Sequence, residues 1–202
     1  MARKLKAISI SATVLLITAV LVGPAAAHTF GGATGGGFLA GFGHPFLGLD
    51  HLLAMLAVGL WAAHLGGAAR IAVPAAFVGV MALGGIIGGA GVALPLVEPA
   101  IAISVIALGA LLMAGVRMPV AAGMMLVGAF AVFHGHAHGS ELPAAASPVV
   151  YGLGFMLATA LLHGLGLAAG LGALRDRPLL GSRLLRVAGS GIAAAGLFFL
   201  VM

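Results

Sequence analysis

Apolar residues run along this chain in stretches close to the roughly 20 residues that a helix needs to cross a bilayer. Six such stretches follow residue 42, at about residues 43–63, 70–90, 97–115, 119–138, 148–171 and 184–202. The links between them are short: Gly66-Gly67, Leu94-Pro95, Arg117-Met118-Pro119, the segment 139–147, and Arg175-Asp176-Arg177-Pro178. None is long enough for a second domain. The pattern predicts an all-α integral membrane protein, with residues 28–202 forming a single domain, a bundle of six transmembrane helices.

Residues 1–27 follow a different pattern. Arg3, Lys4 and Lys6 precede the apolar run from Ile8 to Val22, and Pro24-Ala25-Ala26-Ala27 ends it with small residues. This is the layout of a cleaved signal peptide, and cleavage would leave His28 as the N-terminus. An uncleaved extra helix is the alternative. Residues 28–37 are rich in glycine and read as a flexible external segment.

Charge then sets the orientation. With the signal removed, the first span runs inward, and the inner links hold Arg70, Arg117, Arg175, Arg177, Arg183 and Arg186. The outer links and tails hold no Lys or Arg. Basic residues favour the cytoplasmic side, so both mature termini are expected outside. Charged residues are only 6% of the chain against 62% hydrophobic, where a soluble domain carries about 25% charged residues. The pI near 11.3 does not point to nucleic acid, because no basic, aromatic-rich soluble face exists to bind it. The absence of cysteine excludes disulfides, thiolate metal sites and cysteine nucleophiles. The 34 glycines suit helices that approach closely in lipid. Gly84-x3-Gly88, Gly85-x3-Gly89 and Gly166-x3-Gly170 are candidate contacts, and Trp61 and Tyr151, near span ends, read as interface aromatics.

The polar residues are unevenly placed. On this orientation six of the eight histidines and three of the four acids gather at the external end: His28, His44, His51, His134, His136, His138, Asp50, Glu98 and Glu141. A carboxylate at the centre of a membrane helix costs roughly 2.5–3.5 kcal/mol on insertion scales and usually has a function. Imidazole with carboxylate suits Ni, Co, Cu or Zn. His134 and His138 are four apart and share a helix face, which Glu141 joins if the helix continues, while His136 points nearly opposite. His44 and His51 also share a face, but seven residues of regular helix rise about 10.5 Å, too far for one ion bound at about 2 Å. Either the segment is distorted around Pro45 and Gly48, or His44 marks a mouth and Asp50–His51 a deeper site; the second is the preferred expectation. Asp50 serves equally as a ligand or as the group orienting an imidazole. Glu98 begins a helix, where it either complements the N-terminus or carries a metal or proton. His163 is either a relay toward the inside or a histidine bonded to a neighbour. Met55, one turn after His51, offers sulfur to the path or packs. His28, if it becomes the N-terminus, offers an amine and an imidazole at the entrance. His64 reads as an interfacial residue without a special role.

Two stretches resemble a known family. His44-Pro45-x2-Gly48-x-Asp50-His51 is similar to the His-x5-Asp-His motif of the HupE/UreJ proteins, and Phe133-His134-Gly135-x-Ala137-His138-Gly139-x-Glu141 is similar to their second motif. The order of spans and the leading signal match as well. The resemblance implies a nickel permease, or a cobalt permease, of the bacterial inner membrane that supplies hydrogenase or urease maturation. It implies that His44, Asp50, His51, His134, His138 and Glu141 are required for transport, and that Ni2+ or Co2+ is the transported substrate rather than a prosthetic group. Which metal is carried rests on the resemblance alone.

Three functions compete on the residues. A divalent-cation permease would capture an ion outside and pass it inward between helices; it would not be an enzyme. No P-loop is present, so ATP would not be hydrolysed by that route. A membrane-embedded zinc-dependent hydrolase would use histidines and an acid to activate water, although no His-Glu-x2-His helix is present. A metal-binding sensor would bind and move nothing. The first is the expected function, with a divalent metal ion and the bilayer as partners and no nucleic acid.

Overall fold

A computed structural model describes residues 37–142, 147–176 and 178–202, all of which belong to one unit, Gly35–Met202. The expected signal peptide and His28 lie outside the described residues. Seven α-helices are present among them: α1 Phe38–Gly43, α2 Leu49–Leu65, α3 Ala69–Gly89, α4 Val97–Ala114, α5 Val120–Ser140, α6 Pro148–Asp176 and α7 Pro178–Val201, with a 3-10 turn at His44–Phe46 between the first two. Helices α3 to α7 are each long and apolar enough to cross a membrane, and α1 with α2 makes a sixth span if the bent pair is counted as one.

Local chemistry sets the ends of these helices. Proline occupies the first position of α6 and of α7, where its fixed φ suits helix initiation and its missing N–H costs nothing. Gly66 and Gly115 stop α2 and α4 at φ of +77° and +67°, a backbone region that residues with a Cβ avoid.

The first expected span is not one regular helix. The chain bends by 82° between Phe38–Phe46 and α2. The break falls where Pro45 and Gly48 stand: Pro45 opens the 3-10 turn and Gly48 is extended, with φ −95° and ψ 116°. The last two spans also differ from expectation. Helix α6 continues to Asp176 and α7 starts at Pro178, so Arg175, Asp176 and Pro178 of the anticipated link are helical. Proline is accepted in the first turn of a helix, so Pro178 opens α7 instead of prolonging a loop.

Helix α2 is the axis of the bundle and touches every other long helix. Ala54, Met55, Ala57, Val58, Trp61 and Ala62 are fully buried. Exposed apolar residues such as Ile71, Leu83, Ile86, Leu153 and Leu184 stud the outer helices, where lipid would lie. Trp61 is therefore core, not an interface aromatic: its indole N–H donates to the Val116 carbonyl at 3.3 Å. Tyr151 is buried as well. Glycines set the tightest contacts. A methyl group at Gly84 or Gly88 of α3 would run into the backbone of Val132 or His136, and one at Gly135 or Gly139 of α5 into that of Met81 or Gly85. Gly59 of α2 and Gly166 of α6 press likewise on the carbonyls of His163 and Leu56. The contacts expected from Gly84-x3-Gly88 and Gly166-x3-Gly170 are present; Gly85 and Gly89 look toward α5 with more room.

Helix ends sort into two groups. The bend, with His44 and His51, and the end of α5, with His134, His136 and His138, lie at one end with the end of α3 and the starts of α4 and α6. The opposite end carries Arg70, Arg117 and Arg186, the last beside Gly115.

Candidate metal centre

The bend builds the site. It turns the 3-10 segment across the top of α2, so that His44 and His51 approach the same partner from two sides. The His138 ring centroid lies 4.7 Å from His44 and 4.4 Å from His51, and His134 lies 4.8 Å from His51. The segment is bent around Pro45 and Gly48, and the four rings stand in sequence, His44, His138, His51, His134, with His44 at the outer end and His51 further in. His134 and His138 face α2 because Gly135 and Gly139, one residue further on, turn the other side of α5 against α3.

Hydrogen bonds decide which nitrogen each ring offers. The His51 backbone N–H and its Nδ1–H both donate to Asp50 Oδ1, at 2.7 and 2.8 Å. That places the proton on Nδ1 and leaves Nε2 with a free lone pair. Ser104 Oγ donates to the Ile101 carbonyl at 2.6 Å, so it can only accept from His134 Nε2–H, 2.9 Å away. The free lone pair of His134 is therefore on Nδ1. His51 Nε2, His134 Nδ1 and both nitrogens of His138 are buried with no hydrogen-bond partner in the protein. Leaving such a group unpaired costs about 1–3 kcal/mol, and a cluster of them is the chemistry of a ligand set. Asp50 Oδ1 holds the His51 ring through Nδ1, an arrangement that fits the orienting role of the two weighed for it.

A second group adjoins the first at the mouth. One donor atom each of His44, His138 and Glu141 lie within 4.8 Å of one another. Two ligands of one ion bonded at about 2.1 Å stand at most about 4.2 Å apart, so shifts below about 1 Å close the three around a metal. His138 belongs to both groups and links them. His44 is half-buried and Glu141, which caps α5, is exposed, so the mouth opens to solvent. Glu141 thus pairs with His44 and His138, whereas His134 goes deeper with His51. The walls are aromatic: Phe155 lies 4.0 Å from the His138 ring, Tyr151 6.2 Å from His44, and Phe77 5.5 Å from His134.

Other expected residues lie elsewhere. His136 points away from the cluster and its Nε2 donates to the Val92 carbonyl at 2.7 Å, tying α5 to the loop after α3. Glu98 is exposed in the first turn of α4 and does not join the three-ligand group at the mouth. Met55 is packed in the apolar core. His163 is buried below Phe77, 5.1 Å from that ring. Sequence reasoning missed Ser104, Phe77 and Phe155. A lone hydroxyl inside the apolar run of α4 was the available signal for Ser104; nothing marked the two phenylalanines among ten.

Gly48 holds the inner pair in place. A Cβ there would stand 2.9 Å from Asp50 Oδ1 and 3.3 Å from His51 Nδ1. Its backbone conformation is open to any residue, so Gly48→Ala should fold, displace the Asp50–His51 bond, and weaken metal affinity by about 10–100-fold, the range for lost orienting partners. Isothermal titration of the purified protein with Ni2+ checks this.

A profile described as HupE / UreJ protein matches residues 15–199. Protein HupE of Rhizobium leguminosarum bv. viciae is 49% identical over 183 residues, spanning 91% of this chain and 94% of that relative. No solved structure matches at a significant level. Both sequence motifs lie in the matched region, and the side chains they supply are those that meet between α2 and α5. With nearly the whole chain covered, this protein belongs to the HupE/UreJ family, a family of nickel and cobalt transporters.

Proposed function

We propose that this protein is a permease that carries Ni2+, or Co2+ by the same chemistry, from the external face into the cytoplasm for hydrogenase or urease maturation. The observation that carries the reading is the set of buried, unpartnered imidazole nitrogens on His51, His134 and His138, backed by Asp50. Neutral imidazoles replace the water of a borderline cation, while the carboxylates of Asp50 and Glu141 offset its charge. The linked mouth and inner groups give the ion successive holding points, none of them a closed cage. That suits conduction, in which binding must be firm enough to enter and weak enough to leave. The arginines at the opposite end support an external position for the cluster, where an ion would enter.

The test is uptake into proteoliposomes loaded with a metal-sensitive dye, with Ni2+, Co2+, Zn2+ and Cu2+ in competition. Saturable Ni2+ entry, reduced by Co2+, is expected. Binding without entry above protein-free liposomes would point to the sensor or hydrolase instead.

A further inference from the structure

Below the external cluster, one more buried imidazole has no role in the site described so far. His163 of α6 is 1% exposed, and neither ring nitrogen has a hydrogen-bond partner in the protein. A structural histidine at this depth would be expected to bond at least one nitrogen, as His136 and His134 do. The surroundings offer other donors. Thr159, one helical turn earlier on the same face, is fully buried, and its hydroxyl reaches Met81 Sδ at 3.8 Å. Met81 in turn lies one turn after Phe77 on α3. Hydroxyl and thioether therefore meet where α3 faces α6, one turn to the external side of Phe77 and His163 and level with Gly135. Thioether and imidazole are both donors suited to late transition metals.

Phe77 stands between this group and the cluster above. Its fully buried ring touches both His134, at 5.5 Å, and His163, at 5.1 Å in an edge-to-face arrangement. The position of His163 is itself fixed, because Gly59 lets the α2 backbone press on its carbonyl.

We propose that His163 is an inner ion station, separated from the external cluster by the Phe77 ring, with Thr159 and Met81 on the approach to that ring. An ion leaving His134 passes Phe77 by a rotation of that ring and is received by His163. The two stations give the path an outer and an inner half, with an apolar partition that keeps them from being a continuous aqueous channel. This inference rests on the permease reading and adds a second site to it.

The experiment uses the full chain in proteoliposomes and in detergent. Wild-type Ni2+ uptake is the control for the permease reading; if the wild type moves no metal, that reading fails and the inference with it. Given wild-type uptake, His163→Ala should slow entry by at least about tenfold, since loss of a ligand costs no less than loss of an orienting partner, while Ni2+ still binds the external cluster. His163→Cys supplies a readout that a merely structural histidine would not move. The chain contains no cysteine, so this thiol is unique. With Ni2+ at about ten times its Kd, its reaction with a small methanethiosulfonate should slow about tenfold, because bound metal occupies it. Uptake at the wild-type rate in His163→Ala would overturn the proposal. So would a thiol that reacts equally fast with and without Ni2+, even if uptake were lost.

Discussion

Metal uptake should be abolished in His51→Ala and in His134→Ala, with the protein still folded in the membrane. Each substitution deletes one of the buried nitrogens left without a hydrogen-bond partner in the cluster, His51 Nε2 or His134 Nδ1. The two ring centroids lie 4.8 Å apart, and on the permease reading both serve the ion at the inner group, so neither replaces the other. Asp50→Asn separates charge from shape. The amide keeps an acceptor for the His51 N–H groups but removes the negative charge that offsets a dication, and uptake should fall by about 10–100-fold. Initial uptake rates in proteoliposomes, with size-exclusion profiles as the check on folding, read all three. Normal rates in the three variants would show that the cluster is not on the path.

Gly135→Ala should cost the protein its folded bundle. The added methyl would stand on the Met81 backbone carbonyl, with the Gly85 amide close beside it. A rotamer change cannot relieve a clash with backbone, so α3 and α5 must separate. Overpacking costs about 1–3 kcal/mol and occasionally more, and a backbone obstruction belongs at the upper end. Gly139→Ala meets Gly85 in the same way. Gly152→Ala is the matched control: it lies in α6 with nothing within 4 Å, and helix propensity alone should leave it neutral or slightly more stable. Thermal melts in detergent, followed by monodispersity, distinguish the three. Because α5 carries His134 and His138, a partly folded Gly135 variant should also bind Ni2+ poorly, which links bundle packing to the site.

Much of this protein was legible along the chain. Runs of apolar residues located α3, α4 and α5 to within two residues, because the length of a helix that crosses a bilayer is set by the bilayer itself, but they stopped α6 early and started α7 late. The four-residue spacing of His134 and His138 put both on one face, because helix periodicity is local. The concentration of histidine and acid at one end, against arginine at the other, marked where a cation would meet the bundle. Both family motifs were visible as well.

Tertiary structure alone decided the rest. Pro45 and Gly48 raised the choice between a regular and a broken helix, but only packing against α5 and α6 resolved it as an 82° bend. That bend gives His44 and His51 a common neighbour in His138. Ser104 lies 30 residues before His134, and no local rule joins them, yet their bond selects the nitrogen that His134 presents. Trp61 and Tyr151 looked like interface residues and proved buried. The physical reason is the same throughout. In a soluble helix, the apolar stripe tells which side faces the core. In a membrane helix, lipid and protein are equally apolar, so hydropathy reports the span and is silent about its inward face. That face is chosen by close packing, here by glycines that let one backbone rest on another, and the site follows from that choice.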